Sequence, residues 1–165
     1  MNSGRKYFLS EKKPELDQAK VDSLLRHALI EDIGKGDITT ELTIPKGKDA
    51  AAKLLTKEDC IICGMKLAER AFTLLNKEVR FKALAKDGAD TKAGKVLAEI
   101  YGEASHILSS ERVALNFLSM LSGIATTTRK YVNAAGPYKV KITDTRKTMP
   151  GLRELQKYAV RIGGG

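Results

Sequence analysis

VKITDTRKTMPGLRELQKYAV, residues 140–160, changes character twice within a short length of chain. Val140 to Asp144 reads as a short strand and Leu152 to Val160 as a helix. Between them Arg146, Lys147 and Arg153 crowd around a single turn, with Thr145 and Thr148 on either side of the Arg-Lys pair. Pro150 fixes the path out of the turn, and Gly151 is expected to let the backbone come close to a bound group. Upstream, Ser109 is a fair N-cap with Glu111 in the first turn. Ala114, Phe117, Leu118, Leu121 and Ala125 then form one apolar stripe, interrupted at Gly123 and ended by Gly136-Pro137. A long helix, a strand, a charged loop at the strand's carboxyl end and a second helix describe the opening of an α/β barrel. In such barrels the functional loops sit at that end of the strands.

The preceding residues follow a different plan. Residues 1–19 are polar and charged, contain Pro14, and read as an N-terminal arm. Val21 to Ile33 places Val21, Leu24, Leu25, Ala28 and Leu29 at helical spacing, and Gly34 stops it. Gly34 to Pro45 reads as a loop, Ala50 to Thr56 and Cys60 to Cys63 as strands, and Met65 to Asn76 as a helix. Val79, Phe81 and Leu84 mark one further strand and Val96 to Ile100 another, joined by the turn-rich KDGADTKAGK. This hairpin resembles a biotinyl or lipoyl half-barrel, but no lysine stands at a hairpin tip as prosthetic-group attachment requires. The expected fold class is α/β: an α/β sandwich over residues 20–108, then the first part of a barrel over residues 109–165. One strand and one helix cannot close a barrel, because every open edge needs a partner. The terminal IGGG is therefore read as a hinge into a further element, and the sequence as part of a longer chain.

Composition narrows the function classes. The 165 residues are 42% hydrophobic, enough for a packed core, and 30% charged. Twenty-nine Lys and Arg against 20 Asp and Glu leave a formal charge of +9, which suits an anionic partner. Aromatic residues are only 5%, and no ribonucleoprotein-type motif occurs, which argues against a base-stacking surface. Cys60 and Cys63 form CIIC without two further metal ligands nearby, since His27 and His106 lie far off in sequence. A redox CxxC usually opens a helix, whereas this one reads as strand, so both are expected to be buried free thiols. No apolar run approaches the ~18 residues of a membrane span, and no signal sequence is visible; the expectation is a cytoplasmic protein without a membrane partner.

Two groups of residues could carry chemistry. Arginine offers a planar fork that grips carboxylate or phosphate, and lysine adds a mobile point charge. Thr145, Arg146 and Lys147, with the Thr148 hydroxyl and nearby backbone amides, would suit a substrate bearing several anionic groups; a solvated basic loop has the same composition. Arg112 lies one helical turn before the stripe residue Leu115 and so borders the buried face. It could bind a ligand or simply pair with Glu111 or Glu103. Asn116 admits either a capping or a binding role.

ERVALNFLSMLSGIAT (residues 111–126) followed by ITDTRKTMPGLRELQKYAVRIGGG (residues 142–165) closely resembles the quinolinate phosphoribosyltransferases, and EDIGKGDITTE (residues 31–41) resembles their opening motif. The resemblance spans roughly residues 20 to 165. It implies an α/β sandwich followed by an incomplete α/β barrel, in a homodimer where one subunit's sandwich covers the other's barrel mouth. It implies transfer of a phosphoribosyl group from phosphoribosyl pyrophosphate to quinolinate, with Mg²⁺. Pyrophosphate and CO₂ would be released and nicotinate mononucleotide formed, a step of NAD biosynthesis. Arg146 and Lys147 would be the catalytic residues, Thr145 would join them on the floor of the site, and Arg112 would reach quinolinate across the dimer.

The family pattern continues after the glycines with a His-Arg pair, a later lysine, acidic metal ligands and phosphate-binding loops. None of these falls within the sequence, so the expectation is that these 165 residues alone do not catalyse. Rival readings are a paralogue of the same fold linked to molybdenum transport, a basic nucleic-acid-binding module, and a biotinyl-like carrier. The resemblance itself implies small-molecule substrates and no nucleic acid.

Overall fold

A computed structural model describes residues 15–138 and 140–165. Helix α1 (Gln18–Ile33) starts where the Asp17 carboxylate accepts the Ala19 and Lys20 amides at 3.0 and 3.3 Å. It buries Val21, Leu25 and Leu29 and ends at Gly34, whose φ of 57° only glycine adopts easily. Gln18 and Ala19 thus belong to the helix and not to the expected arm, whose residues 1–14 lie outside the described residues. The expected loop from Gly34 to Pro45 contains a short helix, α2 (Ile38–Thr43). The Asp37 carboxylate nucleates it by accepting the Thr40 amide at 3.2 Å and the Thr40 hydroxyl at 2.8 Å. With Ile38 and Leu42 both exposed, α2 has no apolar stripe from which to be read.

Strands β1 (Asp49–Leu55), β5 (Val96–Glu103) and β3 (Arg80–Ala83) form an antiparallel sheet in the order β1-β5-β3. Alternation sorts its two faces. Leu54 opposite Ala98, and Ala52 opposite Ile100, point to the core, while Lys53, Glu99 and Lys82 form one row on the other face. Strand β2 (Cys60–Ile61) pairs with β4 (Asp90–Thr91), inside the connection that was expected to be a plain turn. The strand expected over Cys60–Cys63 is shorter than that. Cys63 has left it and stands just before helix α3 (Met65–Leu75), which buries Met65, Leu67, Ala68, Ala71 and Phe72. Both cysteines are free, Cys63 buried and Cys60 half-buried. Burial, reinforced by the charge of Asp87, pushes the Cys63 thiol up, so it stays protonated and unreactive.

Helix α4 (Ala104–Ala135) begins five residues before the expected cap and runs unbroken through residues 108–109 and Gly123. Ser109 lies inside it, and its hydroxyl donates instead to Asp37 at 3.0 Å, tying α2 to α4. Ala114, Phe117, Leu118, Leu121 and Ala125 are buried as expected; Leu115 is off the stripe and 40% exposed. Two hydroxyls of α4 take the place of a missing strand neighbour. Ser122 Oγ accepts the Cys63 amide at 3.0 Å and donates to the Cys63 carbonyl at 3.3 Å, while Thr126 Oγ1 accepts the Ile61 amide at 2.9 Å. Buried backbone groups next to β2 are satisfied in this way without another strand.

Residues 140–144 are irregular, not a strand. A strand persists only by pairing, and among the described residues none lies beside this segment. Helix α5 (Arg153–Gly163) then packs along the far half of α4. The terminal glycines are not the expected hinge. A Cβ on Gly163 would lie 2.6 Å from both the Ala125 carbonyl oxygen and Thr128 Cβ, and Gly164, at φ 104°, caps the helix. Glycine at 163 is what lets the two helices approach. Among the described residues no helix is long and apolar enough to cross a membrane.

Two glycines in helices should therefore respond oppositely to the same change. Gly163→Ala should lower stability by about 1–3 kcal/mol through overpacking, despite alanine's better helix propensity. Gly123→Ala, with nothing within 4 Å of the new methyl, should raise it by about 0.5–1 kcal/mol. Urea unfolding of both variants checks the pair.

A second prediction concerns acid. Arg70 Nε donates to Asp22 at 2.9 Å, linking α3 to α1 and holding the Asp22 carboxyl below its ordinary value of 3.8. A lowered folded pKa contributes stability that is present above the unfolded value and lost as pH falls through the folded one. Arg70→Met should be less stable than wild type at about pH 6–7, and the difference should shrink steadily below about pH 4. Unfolding midpoints measured across that range test it.

Candidate active site

The basic turn has no regular backbone, so its shape comes from local hydrogen bonds. Thr145 Oγ1 accepts the Lys147 amide at 3.2 Å, and the Arg146 carbonyl accepts the Thr148 amide at 3.0 Å. A hydroxyl-to-amide turn of this kind is a standard use of threonine in loops. The Met149 carbonyl then accepts the Leu152 amide at 3.1 Å, with Pro150 second and Gly151 third in the turn. Gly151 has φ 78°, the pattern of a type II turn. Nothing lies within 4 Å of a Cβ placed on Gly151. Glycine supplies the positive φ there, and no side chain or backbone of the described residues crowds it.

This folding pushes Thr145, Arg146 and Lys147 outward, and all three are exposed. Among the described residues, neither Arg146 nor Lys147 has a carboxylate within ion-pair distance. Their neighbours are instead engaged. Lys157 Nζ donates to Asp144 at 2.7 Å, Arg153 Nε donates to Thr148 Oγ1 at 3.3 Å, and Gln156 Oε1 accepts the Met149 amide at 3.0 Å. Asp144, immediately before the turn, is thus neutralised, and two cations are left facing outward with no carboxylate partner among the described residues. Such a turn can hold an anion with several oxygens.

Arg112 stands elsewhere, 57% exposed on α4, with Nε donating to the two Asp32 oxygens at 3.0 and 3.2 Å. The partners weighed from sequence, Glu111 and Glu103, do not take it. Glu103 instead accepts the Gly47 amide at 3.1 Å and the Ser105 hydroxyl at 3.0 Å. Asp37 is close enough to favour the Arg112 cation. Its own carboxyl is held below the usual aspartate range, first by the Thr40 hydroxyl, with Ser109 and Arg112 adding to the effect. Asn116 is exposed and lines a shallow groove with Glu31, Asp32 and Met120. The chain therefore brings Thr145, Arg146 and Lys147 together on one turn, while Arg112 is engaged with Asp32 near the end of α1 and close to Asp37 before α2.

Sequence reasoning missed the acidic cradle of Arg112 and the contacts from α5 to the turn. Asp37 carried a signal, as an aspartate three residues before Thr40 at a helix start. Lys157, Gln156 and Asp32 carried none, because their partners are fixed only by tertiary packing.

Known proteins similar to this chain come from one family. Residues 37–122 match the quinolinate phosphoribosyl transferase N-terminal domain, and residues 124–165 match the C-terminal domain of the same family. The chain is 43% identical over 150 residues to a probable nicotinate-nucleotide pyrophosphorylase (carboxylating) of Bacillus subtilis, covering 91% of this chain and 52% of that protein. It is 40% identical over 156 residues to the Mycobacterium leprae nicotinate-nucleotide pyrophosphorylase (carboxylating), covering 92% and 54%. The structure of the nicotinate-nucleotide pyrophosphorylase from Francisella tularensis superposes with a TM-score of 0.88 at 40% identity, covering 94% of this chain and 55% of that one. The chain thus spans about half the length of the curated relatives it matches. The two halves of the family meet within α4, and the turn that carries Arg146 and Lys147 falls in the second. By sequence and by fold, the chain belongs to the quinolinate phosphoribosyltransferase family.

Proposed function

We propose that the protein to which these residues belong transfers a phosphoribosyl group from phosphoribosyl pyrophosphate to quinolinate, giving nicotinate mononucleotide, pyrophosphate and CO₂. The observation that carries this reading is the adjacent pair of exposed cations, Arg146 and Lys147, on a pinned turn, with no carboxylate partner among the described residues. Quinolinate brings two carboxylates, and the co-substrate a phosphate and a pyrophosphate. In the reaction the quinolinate nitrogen forms the bond to ribose C1 as the bond to pyrophosphate breaks, and pyrophosphate leaves with the electron pair. The ring nitrogen, now cationic, accepts the electron pair released when a carboxylate departs as CO₂, and a proton takes its place. Arg146 and Lys147 bind and orient the anionic groups and stabilise charge as it develops on the leaving group. Thr145 shapes the turn that carries them.

Mg²⁺ belongs to the same proposal, as a companion of phosphoribosyl pyrophosphate. Among the described residues no group of three or more His, Cys, Asp or Glu side chains is arranged to hold a metal ion, and Asp144 is already paired with Lys157. These residues do not fit a protein-held Mg²⁺.

A homodimer is the proposed assembly, with Arg112 completing the partner's site. Its pairing with Asp32 is mostly exposed, and such pairs contribute only about 0–1 kcal/mol, so Arg112 can be drawn onto a substrate carboxylate at little cost.

In the full-length protein, Arg146→Ala should cost on the order of 2–4 kcal/mol of transition-state binding, roughly 30- to 1000-fold in kcat/KM. Arg146→Lys should recover little of this, because it keeps the charge and loses the fork. A fully active lysine variant would show that charge alone matters at this position. The site-sharing proposal is tested by unfolding and refolding Arg112→Ala and Arg146→Ala together in equal amounts. About half the dimers will be mixed, and each will hold one intact site if Arg112 acts in trans. Roughly a quarter of wild-type activity should return. Near-zero activity after verified mixing would place both arginines in one subunit's site.

A further inference from the structure

We infer that the first turns of α5 act as a jig for the anion-gripping turn, with Lys157 and Gln156 as its positioning residues; the inference rests on the phosphoribosyl-transfer reading above. Residues 140–152 belong to no helix or strand, and within residues 145–148 the turn is held by only two hydrogen bonds of its own. Helix α5 grips it on both flanks. Lys157 Nζ donates to Asp144 at 2.7 Å immediately before Thr145, and Gln156 Oε1 accepts the Met149 amide at 3.0 Å just after Thr148. Arg153 adds a bond to Thr148 Oγ1 at 3.3 Å. Three side chains within five residues of one helix thus hold both ends of the segment that presents Arg146 and Lys147.

The jig is itself fixed to the rest of the fold. Tyr158, the residue after Lys157, donates its hydroxyl to Asp87 Oδ2 at 2.6 Å. The other oxygen of Asp87 accepts the Gly64 and Met65 amides at the start of α3, at 3.0 and 2.9 Å. Burial, with Asp87 beside it, pushes the Tyr158 hydroxyl up, so it remains a donor across the working pH range. A chain of contacts therefore runs from α3 through Asp87 and Tyr158 to α5, and from α5 to both flanks of the turn. Bidentate recognition tolerates misplacement of only about an ångström, so a turn without regular backbone needs such outside support. Lys157 and Asp144 are both half-buried, their side chains 33% and 28% exposed. With its ammonium held by Asp144, Lys157 positions the turn and does not itself grip the substrate.

The test is hydrogen exchange together with steady-state kinetics on the full-length protein. Lys157→Met and Asp144→Asn cut the same contact from its two sides, and Lys157→Arg preserves it. Lys20→Met serves as the control, because it removes only the exposed Lys20–Glu154 pair on the first turn of α5. The Lys147, Thr148 and Met149 amides should exchange at least tenfold faster in both cutting variants. Amides from Tyr158 to Ile162 should be unchanged, and Lys157→Arg should restore most of the protection. In the same two variants kcat/KM for quinolinate should fall at least tenfold, with no change in Lys20→Met.

Unchanged exchange at the turn overturns the inference, even if activity falls, since Lys157 would then be acting on the substrate. Faster exchange with undiminished kcat/KM overturns it as well. So does a uniform rise across α5 in both variants, which would make the contact a support of the helix and not of the turn. A wild-type protein that transfers no phosphoribosyl group would sink the functional reading. The exchange data would then decide separately whether α5 holds the turn.

Discussion

Most of the described elements pack on one helix that is buried on two flanks. On one side α4 receives the sheet, β2, α3 and α1, and its later turns also receive α5. The first contact is made by apolar side chains and two hydroxyls; the second depends on Gly163 leaving room for the Ala125 carbonyl and Thr128. Because α4 crosses from one family half to the other without a break, the orientation of α5, and of the turn before it, is set by the same rod that anchors the sheet. Flexible linkage between the halves is replaced by shared helix.

The charge of the turn can be followed at the level of single pairs. Among the described residues a minority of the cations are matched with carboxylates, as in Lys82 with Glu99 or Lys92 with Asp59. Near the turn the matching is selective: Lys157 consumes Asp144, and Arg146 and Lys147 are left over. An excess of +9 scattered along a chain says little about function. Arg146 and Lys147, two and three residues after a neutralised aspartate, sit together on a backbone braced by a threonine hydroxyl and have no carboxylate partner among the described residues, which leaves both open to an anion.

The long amphipathic segments were legible because burial writes a 3.6-residue period into them. Val21, Leu25 and Leu29 on α1, and Phe117, Leu121 and Ala125 on α4, are examples. The basic turn was legible as residue types in order, and the family from the long strings around it. What was not legible shares a physical cause. Helix α2 has no buried stripe, and β2 and β4 are two residues each, too short for any period. The start of α4 was misplaced because Ser109 has a hydroxyl suited to capping, which tertiary structure spends on Asp37. The strand at 140–144 was read from residue type, yet a strand is made by its neighbours. Gly163 to Gly165 looked like a hinge because composition cannot distinguish glycine that permits motion from glycine that permits contact.

The close contact at Gly163 also makes α4 a lever. Arg112 lies 13 residues before Ala125, where α5 bears on the helix, which corresponds to an arm of about 20 Å at 1.5 Å per residue. A tilt of only about 5° at that fulcrum would carry Arg112 through roughly 2 Å, more than an oriented ionic contact tolerates. One added methyl group at the pivot would thus be magnified at the far end of the rod. The smallest side chain in this protein calibrates the reach of one of its longest.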